Sequence, residues 1–162
     1  ICSMKIKLLI LQLVICLSSF SQTTLDSLIF NEVNEYRQKN NLELLSFSKS
    51  VWEVSLHHTN YMVNSGIMKH SEETLKTASS RMDFYNVEWN YCGENLAVIN
   101  PDNKSPEQIA TLIVQMWIDS PKHHKVLLST KPTLGAVSSF IGDKWGHYEN
   151  TDWLYVTLNT IK

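Results

Sequence analysis

Apolar positions recur at helical spacing through the first two thirds of the chain and at alternate positions near its end. Leu25, Leu28, Ile29, Val33 and Tyr36 fall three or four apart, with acids and amides between them. This predicts a helix near 24–39, opened by Thr23 with Asp26 and stopped around Asn40-Asn41. Val51, Val54, Ser55, His58 and Met62 share one face of a second helix, which Ser50-x-x-Glu53 would start and Gly66 would end. Residues 70–92 carry no dominant period, and a short helix is predicted near Ser79–Tyr85. After a polar loop at Asn100–Lys104, Ser105-Pro106-Glu107-Gln108 combines an N-cap serine, a first-turn proline and a glutamine that reaches back. Ile109, Leu112, Ile113, Met116 and Trp117 follow as the clearest amphipathic stripe. Ser120-Pro121 repeats the start signal and predicts a further short helix.

The last third changes period. Leu134–Ile141 and Trp153–Ile161 are rich in β-branched and aromatic residues, and Trp153–Asn159 alternates as a half-buried strand does. Turns are predicted at Gly142-Asp143-Lys144 and at Gly146. Helices early and strands late predict an α+β fold with an antiparallel sheet. No repeat or linker interrupts residues 22–162, so they read as one domain.

The first twenty residues follow another logic. Met4-Lys5-Ile6-Lys7 is a short positive start, Leu8–Leu17 is apolar except for Gln12, and Ser18-Ser19-Phe20-Ser21 offers small residues for cleavage. This is the pattern of a secretory signal peptide over 1–21, with Met4 as the start, Ile1-Cys2-Ser3 ahead of it, and cleavage after Ser21. The apolar run falls short of the roughly 20 residues that span a bilayer, and the alternative reading is an uncleaved anchor. The implied location is secreted, periplasmic or extracellular. Removing 1–21 leaves 162 − 21 = 141 residues with 12 basic and 16 acidic side chains, a net charge of −4. It also leaves Cys92 as the one cysteine, so no intrachain disulfide forms and the apolar core must carry stability. With 43% hydrophobic and 19% charged residues, disorder and a coiled coil are excluded. No Lys/Arg run exists, so nucleic acid is not an indicated partner.

Chemistry rests on six histidines (57, 58, 70, 123, 124 and 147) and a few acids. The patterns HExxH, GxSxG and CxxC and the phosphate-binding glycine loops are absent, which removes common zinc-protease, serine-hydrolase and nucleotide readings. Three segments stand out: Gly66–Ser71, Cys92–Ala97 and Trp117–His124, followed by Leu134-Gly135-Ala136.

Together with Asn34-x-x-Arg37, this order resembles the CAP superfamily of cysteine-rich secretory, antigen 5 and pathogenesis-related-1 proteins. The bacterial, SCP-like extracellular branch is the nearer match. His70-Ser71 resembles the family's H-S, and Gly93-Glu94-Asn95-Leu96 its G-E-N-[LIV]. Trp117-x-x-Ser120-Pro121-x-His123 resembles the bacterial W-x-x-S-P-x-H, with Arg81 where that branch often has an arginine. Ser55-Leu56-His57-His58-Thr59 resembles the second helix, with Ser55 and Thr59 in its alanine places. The Trp153–Leu158 strand resembles the closing one. The resemblance implies a three-layer α-β-α sandwich around an antiparallel sheet, with a cleft lined by His70, Glu94 and His123. It also implies that these three residues hold zinc or another divalent cation. Ser120 replaces a second cleft glutamate found in eukaryotic members, so the full set of two His and two Glu is not expected.

Bland roles compete residue by residue. His58, on an apolar face, reads as a satisfied core histidine, and His57 as solvent-exposed. Trp89, Trp117 and Trp153 read as core or cleft wall, and Cys92 as a small buried hydrophobe. His124 competes with His123 for the cleft. Gly146-His147-Tyr148 reads as a turn. Two functions are compatible with this pattern. One is a binding module for a small ligand, lipid, glycan or peptide, assisted by a divalent metal. The other is a metal-dependent extracellular hydrolase using the same cleft.

Overall fold

The computed structural model describes residues 23–162, so the leader predicted at 1–21 lies outside the described residues. In chain order they form α1 (Thr24–Lys39), β1 (Ser46–Phe47), α2 (Lys49–Ser65), α3 (Ala78–Phe84), β2 (Cys92–Ile99), α4 (Pro106–Asp119), α5 (Pro121–Leu127), β3 (Leu134–Trp145) and β4 (Tyr148–Ile161). The cap chemistry works as its residues demand. Thr23 with Asp26 and Ser105 with Gln108 each close a reciprocal capping box. The second helix starts earlier than Ser50-x-x-Glu53 suggests: Ser48 is the cap and accepts from the Val51 amide at 3.4 Å. Gly66 ends that helix in the left-handed region, at φ 67°.

The sheet runs β1-β3-β4-β2. β3–β4 and β4–β2 are antiparallel, while the two-residue β1 lies parallel to β3. Both long strands outrun their predicted ends. Gly142–Lys144, predicted as a turn, is a bulge inside β3, and the chain reverses at Gly146 (φ 61°). The strand β2, visible in the sequence only as an apolar context around Glu94, forms the sheet's far edge.

Helices cover both faces, giving the three-layer α-β-α arrangement. On one face, Ile29, Phe30 and Val33 of α1 and Ile109, Ile113 and Trp117 of α4 bury the odd-numbered β2 residues Ala97 and Ile99, with Val137 and Val156. On the other face, Val51, Trp52 and Val54 of α2 and Met82 of α3 pack on Ala136 and Ile161. That second face also holds hydroxyls. The Thr59 hydroxyl lies 2.9 Å from that of Thr157, and Asn159 donates to Ser55 at 3.1 Å. Ser55 and Thr59 stand in small-residue places on α2, and their hydroxyls tie the helix to the sheet.

Candidate functional site

Alternation along β2 turns the side chains of Cys92, Glu94 and Leu96 toward α2 and α3, and that of Asn95 toward α5, which also packs over the bare α-carbon of Gly93. Glu94 therefore enters the helical layer that carries His58 and Arg81. Its side chain is 5% exposed, and both oxygens are engaged. His70 Nδ1 donates to Oε1 at 2.9 Å, and Arg81 Nη2 donates to Oε2 at 2.5 Å. Burial pushes the Glu94 carboxyl up, but the hydrogen bond from His70 and the charges of Arg81 and His58 outweigh it. The net result is a pKa below the usual carboxylate range, so Glu94 is ionised at neutral pH.

A second buried carboxylate completes the cluster. Glu72 follows His70 by two residues and accepts from His58 Nδ1 at 2.7 Å and His57 Nε2 at 3.0 Å. Arg81 Nη1 lies 3.4 Å from Glu72, so one guanidinium bridges both acids. Arg81 also donates to the His70 carbonyl at 3.1 Å, which anchors the loop carrying both His70 and Glu72. His58 is buried in the core, as its helix face predicts, with Nε2 3.0 Å from the Lys69 carbonyl. Burial lowers its pKa, more than the neighbouring Glu94 and Glu72 charges raise it. His57 departs from its solvent reading, since it links Glu72 to the Tyr85 hydroxyl, 3.1 Å from Nδ1.

The two histidines predicted for the cleft face each other at its rim. Their ring centres are 6.5 Å apart, with the planes tilted by 51°. His70 comes from the loop after α2, and His123 from α5. Asn95 donates to the His123 carbonyl at 3.0 Å and so ties α5 to β2 beside Glu94. Burial lowers the His123 pKa, helped by the charges of His70 and Lys122, and leaves the ring neutral with a lone pair to offer. His124 turns away: its Nε2 lies 2.7 Å from the Tyr36 hydroxyl on α1. Ser120 caps α5 without a side-chain hydrogen bond and brings nothing to the cluster. Cys92 is half-buried rather than fully buried as predicted, and its thiol is pushed up to about 12, chiefly by desolvation, so it is no nucleophile at neutral pH.

The arrangement bears on metal binding through Glu94. Oε2 is engaged by Arg81 and Oε1 by His70, so a direct metal bond to Glu94 would compete with one of these two hydrogen bonds. Among the described residues, no group of three or more His, Cys, Asp or Glu is placed to hold a metal ion. The donors that fit are the two rim imidazoles. With Zn–N bonds of about 2.1 Å, tetrahedral zinc would bring two ring centres to about 5.3 Å, closer by about 1 Å than they stand here. The His70 side chain is 58% exposed and has room for that shift.

Other matching residues serve the scaffold. Asn34 clamps Leu45 by two hydrogen bonds, of 2.8 and 3.0 Å. Arg37, fully buried, donates to the carbonyls of Glu43, Leu127 and Ser129 at 2.8–2.9 Å. Trp117 belongs to the core, and its indole donates to the Leu96 carbonyl at 2.8 Å. Glu72 was missed in the sequence because its role is set by a loop fold, although its place in His70-Ser71-Glu72 was a usable signal.

Comparison with known proteins agrees with this fold. The family described as cysteine-rich secretory protein family, CAP, matches residues 30–157. The chain belongs to this family. No curated protein matches it. An extracellular protein containing an SCP domain from Bacillus anthracis superposes with a TM-score of 0.63 at 25% identity, covering 85% of this chain and 40% of that one. The chain thus spans less than half of that protein. An outer surface protein from Borrelia burgdorferi matches with a TM-score of 0.61 at 20% identity, covering 84% and 92% of the two chains. NaASP2, in a structure with Zn2+, matches with a TM-score of 0.57 at 9% identity, covering 88% and 82%. At such identities the last two likenesses concern the fold alone. No helix among the described residues is long and apolar enough to cross a membrane.

Proposed function

We propose that this CAP domain is an exported binding module whose contact groups are His70 and His123, with a divalent metal, zinc first, as one ligand they hold. The observation that supports binding over hydrolysis is the state of Glu94. A general base needs a free oxygen within reach of water. Both Glu94 oxygens are committed, one to Arg81 and one to His70. Glu94 then acts on His70 as a carboxylate acts behind a metal-bound histidine. It accepts the hydrogen bond from Nδ1–H, fixes the tautomer and leaves Nε2 for the ligand. The bound metal would supply Lewis acidity to whatever the cleft admits.

Export is part of the proposal. It draws on the leader pattern and on the extracellular and surface descriptions of the Bacillus and Borrelia neighbours. The zinc in the NaASP2 structure makes zinc the metal to try first.

The test is elemental analysis and thermal melting of the tag-free protein, before and after dialysis against zinc. About one zinc per chain, a raised melting temperature, and loss of both in His70→Ala and in His123→Ala are the expected results. Zinc retained by both variants, or none taken up at tens of micromolar, would overturn the proposal.

A further inference from the structure

A groove of about 710 Å³ runs along the outer edge of β2. Tyr91–Glu94 form one wall, and α5 with its following loop forms the other, bringing Lys122, Lys125, Val126 and Lys131. The β2–β4 ladder fixes what the strand offers there. The Lys162 amide donates to the Tyr91 carbonyl, so Tyr91, Gly93 and Asn95 turn their backbone groups toward β4. Cys92, Glu94 and Leu96 turn theirs outward. The Leu96 carbonyl is taken by the Trp117 indole. Among the described residues, the outward groups of Cys92 and Glu94 have no protein partner, and both residues line the groove.

The opposite wall is cationic on an acidic chain. Lys122 and Lys125 stand one turn apart on α5, and Lys131 Nζ lies 5.6 Å from the Tyr91 ring centre. Among the described residues none of the three has an ion-pair partner. The acid in the lining, Glu94, is already paired with Arg81. Lysines that guard a strand edge stand on the edge strand itself, whereas these stand across the groove from it. The sequence has no Lys/Arg run, but the fold gathers these lysines locally. Arg37 holds the wall in place through the Leu127 and Ser129 carbonyls.

We infer that this groove binds an extended peptide bearing acidic side chains, which adds to β2 as a fifth strand. The peptide backbone pairs with Cys92 and Glu94, and its alternate side chains, those facing α5, set carboxylates on the lysines. A small organic anion would satisfy the lysines but leave the strand edge unpaired, which is why the backbone partner is favoured. The inference goes beyond the binding reading above and names a second ligand class at a separate place on the domain. It uses residues other than His70 and His123.

The experiment is fluorescence anisotropy with a labelled hexapeptide, Val-Glu-Val-Glu-Val-Glu with a free C-terminus, in about 50 mM salt with EDTA. Saturable binding below about 100 μM is expected. It should weaken at least tenfold with Lys122→Glu/Lys125→Glu, and at least tenfold when the alternate peptide amides facing β2 are N-methylated. Circular dichroism melts of the double variant, whose changes are on exposed helix positions, confirm that it is folded. The Lys-for-Glu counterpart peptide should not bind. No saturable binding to 1 mM, or binding indifferent to charge reversal, would overturn the inference. Binding that survives N-methylation would mean a simple anion site and would equally overturn it. Because EDTA is present, failure of the metal reading leaves these results unmoved. Zinc uptake without peptide binding would sink this inference alone.

Discussion

The two faces of the sheet are filled by different chemistry. Under α1 and α4, the filling is nearly all aliphatic and aromatic, from Ile29 and Val33 to Ile113 and Trp117. Under α2 and α3, apolar packing around Val51, Val54 and Met82 adjoins a buried polar cluster of His58, Glu72, Arg81 and Glu94. The first face is the more tolerant, because away from Asp26 and Arg37 a well-fitting apolar set satisfies it. The second is not, because each member was desolvated on the condition that its partner is present. The contrast divides labour within one domain. One face holds the fold, while the other gives up that tolerance to hold His70 at a fixed angle on the rim.

The strongest challenge to that division is to remove the bridging cation. Arg81→Met strands two buried carboxylates and should cost about 3–5 kcal/mol in urea unfolding. An apolar truncation opposite, Ile113→Ala, should cost about 3 kcal/mol, from lost transfer energy and a cavity. A smaller loss for Arg81→Met than for Ile113→Ala would mean that the polar cluster is not what holds its face together.

Acid should separate the faces next. His58 and Glu94 both have folded pKa values below their ordinary ones, so the unfolded chain binds more protons on acidification. The His58 contribution is present above about pH 6.5 and is lost as pH falls from there toward its folded value. The Glu94 contribution is lost lower, as pH falls through its depressed pKa. Melting temperature should therefore decline below pH 6.5 and steepen below about pH 4. Both nitrogens of His58 face oxygen acceptors, so a rise in stability between pH 7 and 5.5 would show that this ring is charged in the fold. The smallest effect belongs to a position remote from either face. Ser105→Ala removes the α4 cap and should cost about 1 kcal/mol without touching zinc or peptide binding.

The same contrast decides what could be read in the sequence. Periodicity reports a continuous apolar stripe, so α1, α4 and the closing strand were legible, as were their caps. His70, Glu94 and His123 were legible as a set only through the family resemblance that their short motifs carry. The structure brings His70 onto Glu94 and faces His123 across from it. Glu72 and the link through His57 were not legible, since hydrogen-bonded partners have no period and the loop after α2 has no pattern of its own. The open edge of β2 was invisible for a related reason. Which strand ends a sheet is settled by pairing between distant segments, here Cys92–Ile99 with Leu154–Ile161.

The central claim is that Glu94 works through His70 rather than on the ligand. Zinc titration of three proteins, wild type, Glu94→Gln and His70→Ala, by calorimetry at pH 7.5 tests it most directly. The account predicts that Glu94→Gln still binds one zinc, about 10–100-fold more weakly, while His70→Ala binds none. If Glu94→Gln abolishes binding as completely as His70→Ala while remaining folded, Glu94 is a ligand in its own right and the account is wrong.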